Sequence, residues 1–117
     1  MENSSNNSEF TKNDLGKVIV SEVEPSYILG TAKVLTFGAK KYARGNWKKM
    51  TEEDRQRIAD SLLRHILDYL DGNEFDPETN ESHLYHASCN LMFLANLDKQ
   101  KIRISSNVSS EQRISND

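Results

Sequence analysis

Between Pro25 and Asp98 the apolar residues recur in steps of three and four rather than two, which confines this stretch to helices packed on one another. The first segment opens at Pro25, a residue suited to a first helical turn, and repeats apolar or small side chains at Ile28, Ala32, Leu35, Ala39 and Tyr42. The second opens on Thr51-Glu52-Glu53-Asp54, a capping residue followed by carboxylates that complement the positive end of a helix. Ile58, Leu62, Ile66 and Tyr69 form its apolar stripe, and Gly72 supplies the stop. After a loop containing Asp76-Pro77, Ser82 caps a third segment striped by Leu84, Ala87, Leu91 and Leu94. Gly30 and Gly38 each cost about 1 kcal/mol relative to Ala inside a helix, so they mark a close approach of backbone or ligand or, at Gly38, an early helix end.

Ahead of the helices, Gly16 to Glu24 alternates enough for one short strand or an extended arm, but not for a sheet. Residues 1–15 and 103–117 are polar and rich in Ser and Asn, too poor in apolar side chains to offset ordering entropy, and read as disordered tails. The expected fold is all-α: a small three-to-four-helix domain over residues 16–102 with a short extended N-terminal arm. A core confined to Pro25–Asp98 is near the size where burial alone supplies only a few kcal/mol, so a homo-oligomer is expected.

The net charge of −3 is too mild for a protein that coats duplex nucleic acid or a membrane surface. No apolar run approaches the ~20 residues that span a bilayer, and the Asn/Ser-rich start lacks the layout of a secretory signal, so a cytoplasmic protein is expected. The single cysteine, Cys89, excludes an intramolecular disulfide and a multi-cysteine zinc site.

Charge is nevertheless segregated. Residues 23–50 carry six basic and one acidic side chain, whereas residues 52–81 carry ten acidic and three basic. A fold that joins the two regions sets Lys40, Lys41 and Arg44 beside carboxylates, the pairing required by a phosphate and the hard cation that accompanies it. Tyr42 and Trp47 can stack on a base and Asn46 can read its edge, although Trp47 serves equally as a core anchor. On the second helix, Asp60 and Arg64 are spaced for an ion pair, and Arg64 and His65 flank the apolar stripe, placing His65 at an interface. On the third, His83, His86 and Asn90 form a continuous polar stripe that must meet another element.

The run Ala32-Lys33-Val34-Leu35-Thr36-Phe37-Gly38-Ala39-Lys40-Lys41-Tyr42, then Asn46-Trp47, Leu63-Arg64-His65, Gly72, Asp76-Pro77-Glu78-Thr79, and His83-Leu84-x-His86-Ala87-x-x-Asn90 resembles the phage-associated dATP/dGTP diphosphohydrolase N-terminal domain family. The resemblance covers roughly residues 25–97 and implies a phage or prophage gene. It also implies an all-α nucleotide pyrophosphohydrolase akin to MazG-type enzymes, which hold magnesium on clustered carboxylates. The chain departs from that pattern: no ExxE and ExxD pair occurs on successive helices, the nearest spacing being Asp68-x-x-Asp71. Relative to the resembled family, Asn73 stands where Gly-Glu is expected, and Asn80 replaces a glycine.

Three readings follow. In the first, a metal-dependent nucleoside triphosphate pyrophosphohydrolase holds Mg2+ or Mn2+ on Asp60, Asp68, Glu74 and Asp76. Lys40, Lys41, Arg44 and Arg64 bind phosphates; Tyr42, Asn46, Trp47 and Asn90 bind the rest of the nucleotide; His65, His83 and His86 orient groups or relay protons. In the second, the same pocket is a non-catalytic nucleotide-binding module of phage origin that sequesters a cyclic or other nucleotide defence signal. In the third, the polar stripes are satisfied networks inside a helical oligomer.

Overall fold

The computed structural model describes residues 15–116, with side chains described over 15–103. The described residues form three α-helices and no strand: α1 (Pro25–Lys41), α2 (Arg55–Leu70) and α3 (His83–Asn116). α2 lies along α3, and α1 crosses α3 more lightly. The domain is all-α as its periodicity requires.

The stretch before α1 is an arm rather than a strand. It contains one 3-10 turn, Val20–Glu22, and its Val18, Ile19 and Val20 are exposed. Residues 1–14, the bulk of the expected N-terminal tail, lie outside the described residues. Pro25 is the first residue of α1, and the Glu24 carboxylate ahead of it accepts the Ser26 amide at 2.7 Å.

The packed face of α1 overlaps the expected stripe only at Leu35 and Ala39, which are half-buried. Ile28, Ala32 and Tyr42 are exposed, while Gly30 is buried and Thr31, Val34 and Leu35 are half-buried. Contacts explain the rotation. The Tyr85 ring of α3 lies where a Cβ on Gly30 would stand, and the Thr31 hydroxyl bonds Ser88 at 3.0 Å. Gly30 is therefore the close approach that its cost implies, whereas α1 runs through Gly38 to Lys41.

Thr51 caps a 3-10 turn, Glu52–Asp54, that feeds α2. The Thr51 side chain accepts from the Asp54 amide while Asp54 Oδ2 accepts the Thr51 amide at 2.8 Å, a reciprocal box. Asp60 accepts from Gln56 at 3.0 Å rather than pairing with Arg64. α2 ends at Leu70 and the chain turns at Gly72, whose φ of 94° suits glycine.

α3 presents a different face from the leucine stripe. Leu84 and Leu91 are 38% and 53% exposed, whereas His83, Ala87, Asn90 and Leu97 are all buried, at steps of four, three and seven. With Cys89, also buried, two of the five buried α3 residues among the described side chains are polar, and His83 and Asn90 of the histidine stripe face inward. α3 also continues to Asn116, beyond residue 102 where a tail is expected; an established helix adds a hydrogen bond with each residue, and Ser or Asn costs it only a few tenths of a kcal/mol.

Candidate functional site

The loop between α2 and α3 is built to hold Asp76. Its Oδ1 accepts the backbone amides of Glu78 at 2.9 Å and Thr79 at 3.1 Å, the turn that an Asp-Pro sequence favours. The Asp76 amide donates to Glu81 O at 2.9 Å, the His83 amide donates to Glu74 O at 2.9 Å, and an isolated bridge joins Phe75 to Ser82. Asn80 closes the loop at φ 59°, a left-handed position that Asn tolerates and Gly would fill without strain.

Three imidazoles converge beside this loop. His65 on α2 stacks on His86 of α3 with ring centroids 4.5 Å apart, and its Nδ1 lies 2.8 Å from Nδ1 of His83. His86 Nε2 is 2.7 Å from the Thr79 hydroxyl and 3.8 Å from Asp76 Oδ1. His83 Nε2 lies 3.9 Å from Asp68 Oδ2. Burial, aided by His86 and His83, pushes the His65 pKa below its usual value; burial also lowers that of His86, outweighing the pull of Asp76. Burial resists ionisation of Asp76, but the Thr79 and Glu78 amides and the adjacent histidines together hold its carboxyl below the usual range. These shifts favour the neutral imidazole at His65 and at His86 and the ionised carboxylate at Asp76.

The cluster opens into a cavity of about 720 Å3 between the C-terminal half of α1, the loop after it, α2 and α3. Lys41, Tyr42, Arg44, Asn46, Trp47, His65, His86 and Asn90 all line it. Trp47 stacks on Phe93 at 5.5 Å, serving as anchor and wall together. Asn90 Nδ2 donates to Ser61 Oγ at 3.2 Å, which fixes its amide between α2 and α3. At the mouth, Lys41 pairs with Glu78 at 2.7 Å, while Arg44 has no ion-pair partner among the described residues. Cys89, 3% exposed, contacts the α1 backbone at Thr31 O, and burial pushes its thiol up to about 11, leaving it inert.

Other expected site residues stand apart. Lys40 and Arg64 are exposed and do not line the cavity; Asp60 and Glu74 are exposed as well. Asp68 reaches only His83. The carboxylates Asp60, Asp68, Glu74 and Asp76 thus form no shared oxygen cage, and the residues present do not fit magnesium, a hard ion that demands oxygen ligands. Among the described residues, one group of three or more metal-ligating side chains comes together: His65, Asp76 and His86, with ligand atoms within 4.8 Å of one another. Sequence spacing gives no hint of Thr79, Ser61 or the Lys41–Glu78 pair, because each depends on which faces of three helices meet. The Asp-Pro-Glu-Thr turn is the signal that could have found Thr79.

Residues 7–107 match the family described as dATP/dGTP diphosphohydrolase, N-terminal. The chain belongs to this family. It is 37% identical over 83 residues to a protein of Salmonella phage PMBT28 named dATP/dGTP diphosphohydrolase. That alignment covers 71% of this chain and 28% of the phage protein, so the chain spans less than a third of its relative's length. No solved structure matches the chain. The family match contains every residue of the cavity wall and of the histidine cluster. No helix among the described residues is long and apolar enough to cross a membrane.

Proposed function

We propose that the cavity binds a purine deoxynucleoside triphosphate and that the chain is a metal-dependent pyrophosphohydrolase of phage origin, releasing the monophosphate and pyrophosphate. The observation that carries this reading is one continuous wall joining cations, aromatics and lone-pair donors. Lys41 and Arg44 stand at the mouth, Tyr42 and Trp47 beside them, and His65 and His86 deeper in. Arg44 offers a planar fork to phosphate oxygens, and Lys41 exchanges its Glu78 partner for phosphate when the ligand enters. Tyr42, exposed, gives the base a face on which to stack. Family membership supplies the reaction class: water attacks the α-phosphorus, the α–β bridging bond breaks, and pyrophosphate departs. Neutral imidazoles are what such a step needs, since each offers a lone pair to a water proton or to a cation.

Incubation of the purified chain with dATP and dGTP, with and without divalent metal, followed by ion-exchange chromatography, tests the reading. Metal-dependent dAMP or dGMP and pyrophosphate are expected, with Arg44→Ala losing at least ~10-fold in kcat/KM. Intact triphosphate after prolonged incubation with metal overturns hydrolysis. The sequestration reading draws on the lack of a carboxylate cage among the described residues. It requires an intact nucleotide, retained by the protein and released on denaturation, whether or not metal is chelated.

A further inference from the structure

We infer that His65, Asp76 and His86 form the ligand set of a transition-metal ion of the cobalt or zinc class, with His83 as the positioning residue that orients His65. The inference deepens the reading of the cavity as a phosphohydrolase site, and its test is independent of nucleotide.

The geometry supports it in three ways. First, the three ligand atoms lie within 4.8 Å of one another. Ligands held at about 2.0–2.2 Å from one ion are roughly 3–3.5 Å apart, so the stacked His65 and His86 rings must turn out of their 15° stack and draw together with Asp76 to close the set. Two nitrogens and one carboxylate select a borderline-soft ion, against the oxygen-only preference of magnesium.

Second, the hydrogen bonds prepare the donors. His65 Nδ1 and His83 Nδ1 are 2.8 Å apart, so one donates and the other accepts. When His65 carries its proton on Nδ1, its Nε2 lone pair is free for a metal, and His83 then carries its own proton on Nε2, toward Asp68 Oδ2 at 3.9 Å. A carboxylate behind a histidine behind a ligand is how proteins fix a ligand's tautomer and raise its basicity. This assigns a task to His83, which is 2% exposed and does not line the cavity itself. Asp76 is held in the same manner by the Glu78 and Thr79 amides.

Third, both imidazoles of the set face the cavity, with Asp76 behind Thr79 and His86. His65, His86 and Thr79 all line it, so an ion there has protein on one side and the nucleotide space on the other. Three protein ligands leave coordination positions for water and phosphate oxygen, as a catalytic rather than a structural metal requires.

The test uses the full chain, stripped with chelator and titrated with Co2+ alone. One equivalent per chain, with visible absorption bands, is expected, and a large excess of Mg2+ leaves those bands unchanged. Asp76→Asn and His86→Gln should each abolish stoichiometric binding, whereas His83→Gln should retain the site with affinity weaker by about 10- to 100-fold. Helicity by circular dichroism accompanies each variant. In case the variants do not fold, Zn2+ titration of the wild type is followed by imidazole 15N resonances, with His65 and His86 shifting on one stoichiometric event. Absence of Co2+ binding, full binding by both folded Asp76→Asn and His86→Gln, or Zn2+ that leaves the His65 and His86 resonances unmoved overturns the assignment. A chain that loads Co2+ yet leaves dATP and dGTP intact refutes the hydrolytic reading and spares the metal site.

Discussion

Gly30 and Gly38 share a helix, yet substitution should affect them in opposite directions. A Cβ on Gly30 would lie 2.3 Å from the Tyr85 ring, so Gly30→Ala must displace that ring from its edge contact with Tyr27. Overpacking of this kind costs about 1–3 kcal/mol, which exceeds the roughly 1 kcal/mol that alanine returns in helix propensity. A Cβ on Gly38 meets nothing within 4 Å, so Gly38→Ala should stabilise by about 0.5–1 kcal/mol. Urea denaturation of both variants checks the signs; a stabilised Gly30→Ala would show that Tyr85 is free to move. At this scale the sequence exposes the anomaly but not its cause. Two helical glycines stand out by propensity alone, while the ring that makes one indispensable comes from α3. Asn80 is similar: it stands in place of an expected glycine, and only the backbone reveals the left-handed φ that both residues accommodate.

Among the elements, α2 has the start most fully specified by sequence, and its cap should give the molecule a distinct acid response. The Thr51 amide is the foremost cause holding the Asp54 carboxyl below its ordinary 3.8, followed by the Arg57 guanidinium. A carboxyl depressed in the folded state stabilises it fully above the unfolded value and loses that contribution as pH falls through the folded value. Wild type should therefore exceed Asp54→Asn in urea midpoint at pH 5–7, and the difference should shrink progressively as pH falls below the ordinary 3.8 toward the lowered folded-state value. Thr51→Ala, which removes the other half of the box, should cost about 0.5–2 kcal/mol. A constant difference between wild type and Asp54→Asn from pH 7 to 2.5 would assign the effect to shape rather than charge. The caps of α2 and α3 were legible because each depends on neighbours within four residues. The inward face of α3 was legible only in part: the apolar stripe Leu84, Ala87, Leu91 and Leu94 and the polar stripe His83, His86 and Asn90 are adjacent on one helix, and the buried face takes Ala87 from the first and His83 and Asn90 from the second. The polar stripe is buried because His65, Ser61 and the Asp76 loop provide it with partners. The histidines could thus be nominated from spacing, while the gathering of His65, Asp76 and His86 could not, because it depends on which helix faces meet.

Across the whole molecule, the apolar surface exceeds what three helices can cover. Only Ile58, Ala87, Cys89 and Leu97 are buried apolar residues among the described side chains, and no large side chain is fully enclosed. Meanwhile α2 carries Leu63, Leu67 and Leu70 at 56%, 62% and 71% exposure, a stripe at steps of four and three that the described residues leave largely uncovered. Burying such leucines contributes about 1.5–3 kcal/mol each, comparable to the entire stability that a core of this size supplies. The occupant this argues for is a second copy of the chain, whose identical stripe is self-complementary about a twofold axis. Sedimentation velocity across a tenfold concentration range should show a dimer or larger species, with Leu67→Glu shifting the distribution to monomer. Leu67 is exposed and lies outside the cavity wall, so its variant should keep Co2+ binding and most of its helicity if the site is complete within one chain. A wild-type chain that is folded and monomeric at every concentration would refute self-association and leave the stripe to a different polypeptide.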